Sequence, residues 1–266
     1  MKTTDRQADD LVIGLDIGST YAKGALLDGK GNILSLNHVR TGWAMAEAAE
    51  KLLAGYRAKG SDIPVVATGY GRFLAPGRTD VLTEISAHAL GAEKLRPGVA
   101  TVIDVGGQDT KVTTVSRGRP VEFLMNDKCA AGTGRFLEMA LQRLEVDLED
   151  LEAAKALEAA NLTSVCAVFA ETEMMGLLAA GRPRLEIALG AVAALADKAA
   201  ALASRLHPAA PVVLTGGLSR SSVLARRLGE ALSLTAEPAP HGFYAGAIGA
   251  AWSHLIKRKE LKTTAE

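Results

Sequence analysis

The chain has 266 residues, 48 % hydrophobic and 23 % charged, with 30 Lys and Arg against 30 Asp and Glu. This composition supports one large or two small globular domains rather than disorder, and the even charge excludes a surface built to coat nucleic acid or an anionic membrane. The first ten residues hold no apolar targeting segment, and the most apolar later stretch, Ile187 to Leu206, is interrupted by Asp197 and Lys198, so a cytoplasmic protein without a membrane span is expected.

Residues 11–17, Leu-Val-Ile-Gly-Leu-Asp-Ile, read as an apolar strand that ends in an acid and runs into Gly18, Ser19 and Thr20. A second strand follows over Ala22 to Leu27, then a turn at Asp28 to Gly31 and a third strand over Ile33 to Leu36. Helical spacing covers 43–59, a short strand over Val65 to Thr68 closes on Gly69, and helical spacing resumes over 80–95. At Arg96-Pro97-Gly98 the pattern breaks and begins again. Thr101-Val102-Ile103-Asp104-Val105-Gly106-Gly107-Gln108-Asp109 repeats the opening at a constant offset of 88 residues, placing Asp16 on Asp104, Gly18 on Gly106 and Lys23 on Lys111. Strands over Lys111 to Ser116 and Val121 to Leu124 complete a second meander, helices are expected over 134–159, 167–180, 184–206 and 219–232, and Val212 to Thr215 with Gly216 echoes Val65 to Gly69. This order implies a duplicated α/β fold with domains over 10–97 and 98–256 and frayed polar tails at 1–9 and 257–266.

A lone Gly turn is weak evidence for a ligand, but two equivalent ones carry more. If a pseudo-twofold relates the halves, both turns present backbone N–H groups and hydroxyls to a common anion such as phosphate. An acid at each strand end would repel that anion unless a divalent cation intervenes, so Asp16 and Asp104 are read as Mg2+ ligands through water or as water-orienting groups. Lys23 is either a terminal-phosphate ligand or a solvated strand lysine. The acidic run Glu145, Asp147, Glu149, Asp150 and Glu152 reads as a solvated helix face, Glu84 with His88 as a surface pair, and the five histidines show no ligand spacing.

Only Cys129 and Cys166 are present, too few for a disulfide framework. Each precedes a helical segment, Cys166 with Thr163 or Ser164 as the expected cap. Residue type alone leaves open a buried inert thiol, a reactive thiol or a metal ligand. A four-thiolate iron–sulfur cluster would need a symmetric dimer, because one chain offers two thiols.

The segments Asp16–Thr20, Ile103–Lys111, Asn126-Asp127-Lys128-Cys129-Ala130-Ala131-Gly132-Thr133-Gly134-Arg135-Phe136 and Cys166–Glu171 together resemble the ATP-dependent activators of 2-hydroxyacyl-CoA dehydratases and the related ATPase subunits of benzoyl-CoA reductases. The resemblance extends from about Leu11 to Trp252. It implies the duplicated actin-like ATPase fold, with ribonuclease H-like domains and a nucleotide cleft between two lobes, shared with sugar kinases and heat-shock chaperones. It further implies ATP or ADP with Mg2+, and a homodimer in which Cys129 and Cys166 of each subunit hold one 4Fe-4S cluster. Ferredoxin or flavodoxin would donate the electron, and an acyl-CoA dehydratase or reductase of anaerobic metabolism would accept it. Carried onto this chain, Gly18, Ser19, Thr20 and Lys23 form the first phosphate loop and Asp104, Gly106, Gly107 and Gln108 the second. Gln108 orients the attacking water, Gly132, Thr133 and Gly134 adjoin the phosphates, and Gly216-Gly217 faces the adenosine. Gly246 and Gly249 are expected in close helix packing. The competing readings are a small-molecule kinase of the same fold, for which the Thr68-Gly69-Tyr70-Gly71-Arg72 turn brings no acidic base, and a regulatory ATPase with inert thiols.

Overall fold

The computed structural model describes residues 11–58, 60, 62–126, 128–154, 156–163 and 166–264. The expected tail 1–9, Lys59 at the expected end of the first helix, Asp127 and Ser164 lie outside them. The chain divides into two compact units. One holds the described residues up to Pro97 together with Arg117–Pro120 and the chain from Tyr244 onward, and the other holds Gly98–Ser116 and Val121–Phe243.

The first unit is built on strands β1 (Val12–Ile17), β2 (Tyr21–Leu27), β3 (Ile33–Arg40), β4 (Val65–Thr68) and β5 (Asp80–Val81), ordered β3-β2-β1-β4-β5. The meander β1-β2-β3 is antiparallel, and β4 and β5 run parallel to β1. Every residue of β1 is buried, as expected of a central strand covered on both faces. The pleat sends Ile13, Leu15 and Ile17 into one cluster with Leu52, Leu53 and Tyr56 of helix α1 (Met45–Arg57). Val12 packs instead with Ala250, Ala251 and Leu255. Asp16 shares the even-numbered face.

Helix α2 (Glu84–Leu95) begins only after β5, later than the expected start at 80, with Thr83 as its cap: the Thr83 hydroxyl accepts from the Ser86 amide. The second unit repeats the scheme with β6 (Thr101–Val105), β7 (Thr110–Ser116), β8 (Arg119–Asn126), β9 (Val212–Gly216) and β10 (Ala236–Pro238), ordered β10-β9-β6-β7-β8. The duplication is therefore present strand for strand.

The expected helix over 134–159 is two helices, α3 (Gly134–Leu144) and α4 (Leu148–Ala153). Glu145 adopts a left-handed conformation that ends α3, and a reciprocal capping box between Asp147 and Asp150 starts α4. The acidic run is solvated as expected at Glu145, Asp147, Glu149 and Asp150, with Glu152 partly buried, but it spans two helices rather than one face. Glu145 pairs with Arg184, and Glu152 accepts from the Ser221 and Ser222 hydroxyls and the Val223 amide at the start of α7 (Ser222–Leu232). Ser221 caps α7, three residues beyond the expected start at 219 is where the helix begins. Between them lie α5 (Ala167–Ala179) and α6 (Arg184–Ser204). Helix α6 is long and apolar enough to cross a membrane, but most of its apolar stretch is buried inside the protein, as in a core helix.

The expected tail from 257 is helical. Helix α8 (Ala245–Thr263) returns to the first unit, which is why that unit takes residues the sequence division assigned to 98–256. Its contact depends on missing side chains: a Cβ on Gly14 would overlap the Ala247 carbonyl oxygen, and a Cβ on Gly249 would overlap that of Ala87 on α2. Lys257 Nζ lies 2.6 Å from Asp80 Oδ2 and, through that hydrogen bond, holds the Asp80 carboxyl below its ordinary value.

Two outcomes follow from this packing. Gly249→Ala should destabilise the protein by about 1–3 kcal/mol, the usual cost of overfilling a packed contact, read as a lower urea midpoint at unchanged slope. Asp80 contributes stability that is present above its unfolded value, about 4, and lost as pH falls through its lower folded value. Lys257→Met should cost up to about 1 kcal/mol at neutral pH, since the pair is half-exposed, and nothing in acid.

Candidate nucleotide and cysteine sites

Asp16 and Lys23 are register partners on β1 and β2, and Asp104 and Lys111 are register partners on β6 and β7. Antiparallel pairing therefore sets an acid opposite a base at the turn end of each meander. In the first unit Lys23 Nζ lies 3.2 Å from Asp16 Oδ2, with Asp16 1 % and Lys23 8 % exposed. Lys23 is thus not a solvated strand lysine.

His88 is not half of a surface pair either. It is buried on α2, with Nε2 3.9 Å from the same Asp16 oxygen. Gly246 of α8 closes the group, because a Cβ there would come within 2.8 Å of both Asp16 Oδ2 and His88 Nε2. Gly249 is helix packing as expected, whereas Gly246 faces this buried cluster. Sequence periodicity carried no signal for His88, because it takes α8, far along the chain, to cover that face of α2.

The glycine ending each parallel strand walls its aspartate. Gly69 has φ +86°, and a Cβ there would lie 2.6 Å from Asp16 Oδ1 and 2.7 Å from the Ile17 carbonyl oxygen. Gly216 has φ +84°, and its Cβ would overlap Asp104 Oδ1 and lie 2.8 Å from the Val105 carbonyl oxygen. Only glycine suits both the conformation and the space. Beside it, Gly217 is open, with Val105 O at 3.7 Å as its nearest neighbour.

The turns themselves are equivalent: the Gly18 amide donates to the Tyr21 carbonyl at 3.1 Å and the Gly106 amide to the Asp109 carbonyl at 2.9 Å. They differ at their fourth position. Where the first turn has Tyr21, the second has Asp109, and Lys111 lies 2.6 Å from Asp109 and 3.9 Å from Asp104. Gln108 is exposed in its turn, and Ser19 is partly exposed. Near the first turn the buried hydroxyls of Thr20, Thr41 and Thr68 have no hydrogen-bond partner, and the Ser219 hydroxyl after Gly217 is likewise unpartnered. Such groups cost about 1–3 kcal/mol each unless a ligand satisfies them, so each group suits a ligand with acceptor oxygens.

Gly132, Thr133 and Gly134 lie against the second turn. The Gly134 amide donates to the Gly106 carbonyl at 2.8 Å, the Arg135 amide to the Gly107 carbonyl at 3.0 Å, and the Thr110 hydroxyl to the Gly132 carbonyl at 2.6 Å. The Gly132 amide in turn donates to the Cys129 carbonyl at 3.2 Å. Asn126 brackets Cys129, accepting from its amide at 3.2 Å and donating to its carbonyl at 3.0 Å. Cys129 itself precedes a single 3-10 turn, Ala130–Gly132, which leads into α3.

Cys166 is the N-cap residue of α5, displacing the expected Thr163, whose amide and hydroxyl bond to Glu173 instead. Both thiols are exposed, which overturns the reading of buried packing residues. Exposed Val168 and Phe169 follow Cys166, and Val121, Phe123 and Met125 share the exposed side of β8 ahead of Cys129.

Removing one member of a buried ion pair is costly, so Lys23→Met should lower stability by about 3–5 kcal/mol, measured by urea unfolding. Lys23→Met with Asp16→Leu should recover part of that loss, because the buried charge goes with its partner.

Residues 13–253 match the BadF/BadG/BcrA/BcrD ATPase family. The chain is 40 % identical over 246 residues to the (R)-2-hydroxyglutaryl-CoA dehydratase activating ATPase of Acidaminococcus fermentans, covering 90 % of this chain and 95 % of that protein. Among solved structures, the activator of the 2-hydroxyisocaproyl-CoA dehydratase from Clostridium difficile with bound ADPNP matches with a TM-score of 0.89 and 32 % identity, over 96 % of this chain and 98 % of that one. A ROK family glucokinase from Streptomyces griseus, 19 % identical with a TM-score of 0.59 over 91 % of this chain and 98 % of that one, shares the fold alone. The architecture is that of the actin-like ATPases, and this chain belongs to the BadF/BadG/BcrA/BcrD ATPase family.

Proposed function

We propose that this chain is an ATP-hydrolysing activator that passes single low-potential electrons from ferredoxin or flavodoxin to a 2-hydroxyacyl-CoA dehydratase or a benzoyl-CoA reductase type partner. The observation that carries this reading is that Gly134 and Arg135 are bonded to the Gly106-Gly107 turn while Gly132, two residues earlier in the same segment, is bonded to Cys129. A change at the turn therefore reaches the thiol-bearing segment through backbone groups, without crossing flexible side chains.

In this reading the first turn (Gly18, Ser19, Thr20) and the second (Gly106, Gly107) present amides and hydroxyls to nucleotide phosphates. Lys23 and Lys111 neutralise the two aspartates, which take Mg2+ through water, a suitable arrangement for an ion that keeps much of its hydration shell. Gln108, exposed in its turn, orients the attacking water, and Gly216-Gly217 lets the adenosine approach bare backbone. Gly132, Thr133 and Gly134 lend support through the second turn, since the Gly134 and Arg135 amides are already engaged by its carbonyls.

Cys129 and Cys166 suit a 4Fe-4S cluster shared with a second copy of the chain: both thiols are exposed, and each stands just ahead of a helical turn, while a four-thiolate cluster needs two from each copy. Such a cluster supplies one-electron chemistry when bound. ATP drives the transfer only as far as its affinity differs between two conformations of the activator.

Iron and acid-labile sulfide on protein purified without oxygen test the reading. About two irons per chain are expected from one four-iron cluster per dimer. Cys129→Ala should abolish iron while leaving nucleotide affinity intact, and iron retained in that variant would overturn the ligand assignment. Asn126→Ala breaks both bonds to Cys129. It should retain iron and ATP hydrolysis but transfer fewer electrons per ATP; an unchanged ratio rules out a part for the Asn126 bracket in the coupling, the backbone bonds of Gly132, Gly134 and Arg135 being intact in this variant.

A further inference from the structure

Beyond Thr68 and Gly69, the Thr68-Gly69-Tyr70-Gly71-Arg72 turn has no place in the chemistry above, and nor does the loop between Thr41 and α1, yet both carry large side chains into solvent. Trp43 is 104 %, Tyr70 75 %, Phe73 58 % and Leu74 50 % exposed. The two segments are neighbours, since a Cβ on Gly71 would lie 3.3 Å from Met45 Sδ. Scattered exposed apolar residues are ordinary, but an aromatic group of this size on adjoining loops marks a contact surface.

Both loops are fastened to the first glycine turn. The Thr41 amide donates to the Thr20 carbonyl at 3.0 Å, and the Gly71 amide donates to the Ile17 carbonyl at 2.8 Å. These bonds bracket Gly18 and Ser19, so a displacement of that turn moves both aromatic loops.

The charge around the group has one sign. Residues 38–46 and 69–79 contain Arg40, Arg72 and Arg78 and no acid. The flanking acids are Glu47, in the first turn of α1, and Asp80, which Lys257 holds. Arg72 packs over the Phe73 ring, its guanidinium carbon 4.6 Å from the centroid, and donates to the Gly69 carbonyl at 3.1 Å. Aromatic anchors with interspersed arginines are the composition of binding hot spots.

We infer that this platform docks the electron-accepting enzyme, through a face with an apolar centre and an acidic rim, and that the nucleotide at the first turn sets how well it docks. The inference rests on the proposed function, because it assigns the platform to the acceptor of that reaction. Trp43 and Phe73 supply the buried anchors, and Arg40 and Arg78 steer the approach.

The probes are purified (R)-2-hydroxyglutaryl-CoA dehydratase and 2-hydroxyisocaproyl-CoA dehydratase, titrated with the whole protein under anaerobic conditions with ADPNP or ADP. The wild-type chain should bind at least one of them, more tightly with one nucleotide than with the other. Trp43→Ala with Phe73→Ser should weaken that binding at least tenfold while ATP hydrolysis without the dehydratase stays at the wild-type rate. Both side chains are exposed, so the variant folds, which circular dichroism checks. Arg40→Glu should slow association and flatten its dependence on salt.

Equal affinity in wild type and variant overturns the platform and leaves the activator reading standing. Wild-type protein that binds neither dehydratase with either nucleotide overturns the platform as a dock for such enzymes, and iron and sulfide content decides the activator reading separately. A variant that loses self-association in sedimentation velocity, with dehydratase affinity unchanged, reassigns the surface to a second copy of this chain.

Discussion

A carboxylate at the end of a buried central strand, set opposite a lysine by antiparallel register, is the constraint on which each half of this protein depends. Burying one charge alone is prohibitive, and burying it with a partner is tolerable. Asp16 with Lys23 therefore requires the register of β1 on β2, and Asp104 with Lys111 that of β6 on β7. The parallel strand that follows must end in glycine, because any side chain at Gly69 or Gly216 would strike the carboxylate it shields. Strand order, turn geometry and glycine placement are in this sense consequences of two ion pairs.

The same constraint explains what was legible in the sequence. Offset, strand pattern and the Thr-Gly echo all follow from local composition, and the paired sheets reproduce them strand for strand. His88 was illegible because its burial comes from α8, whose fit depends on absent side chains at Gly14, Gly246 and Gly249 rather than on any apolar periodicity. The break at Glu145 was hidden for a related reason. A left-handed glutamate followed by a capping box looks, in one dimension, like a continuing charged helix. Cysteine exposure was not legible, because a general preference for buried thiols says nothing about a residue placed just ahead of a helical turn.

The two halves have diverged where their meanders end. In the first, β3 leads into a loop carrying Trp43 and then α1. In the second, β8 leads through Asn126 to Cys129 and the 3-10 turn that rests on the Gly106-Gly107 carbonyls. The same position in the duplicated plan has thus become an aromatic loop in one copy and a thiol-bearing loop in the other. Each is tied by backbone hydrogen bonds to its own glycine turn.

The return of α8 to the first unit also bears on how the chain is made. Val12 on β1, Leu27 on β2 and Val66 on β4 are covered by residues beyond 245, so these strands leave the ribosome well before the helix that shields one of their faces. The second unit, continuous apart from the short Arg117–Pro120 excursion, has its own core in hand sooner. Contacts so far apart along the chain form slowly, and translation halted before 245 would yield an unsealed, aggregation-prone first sheet. Synthesis order and assembly order thus run in opposite directions.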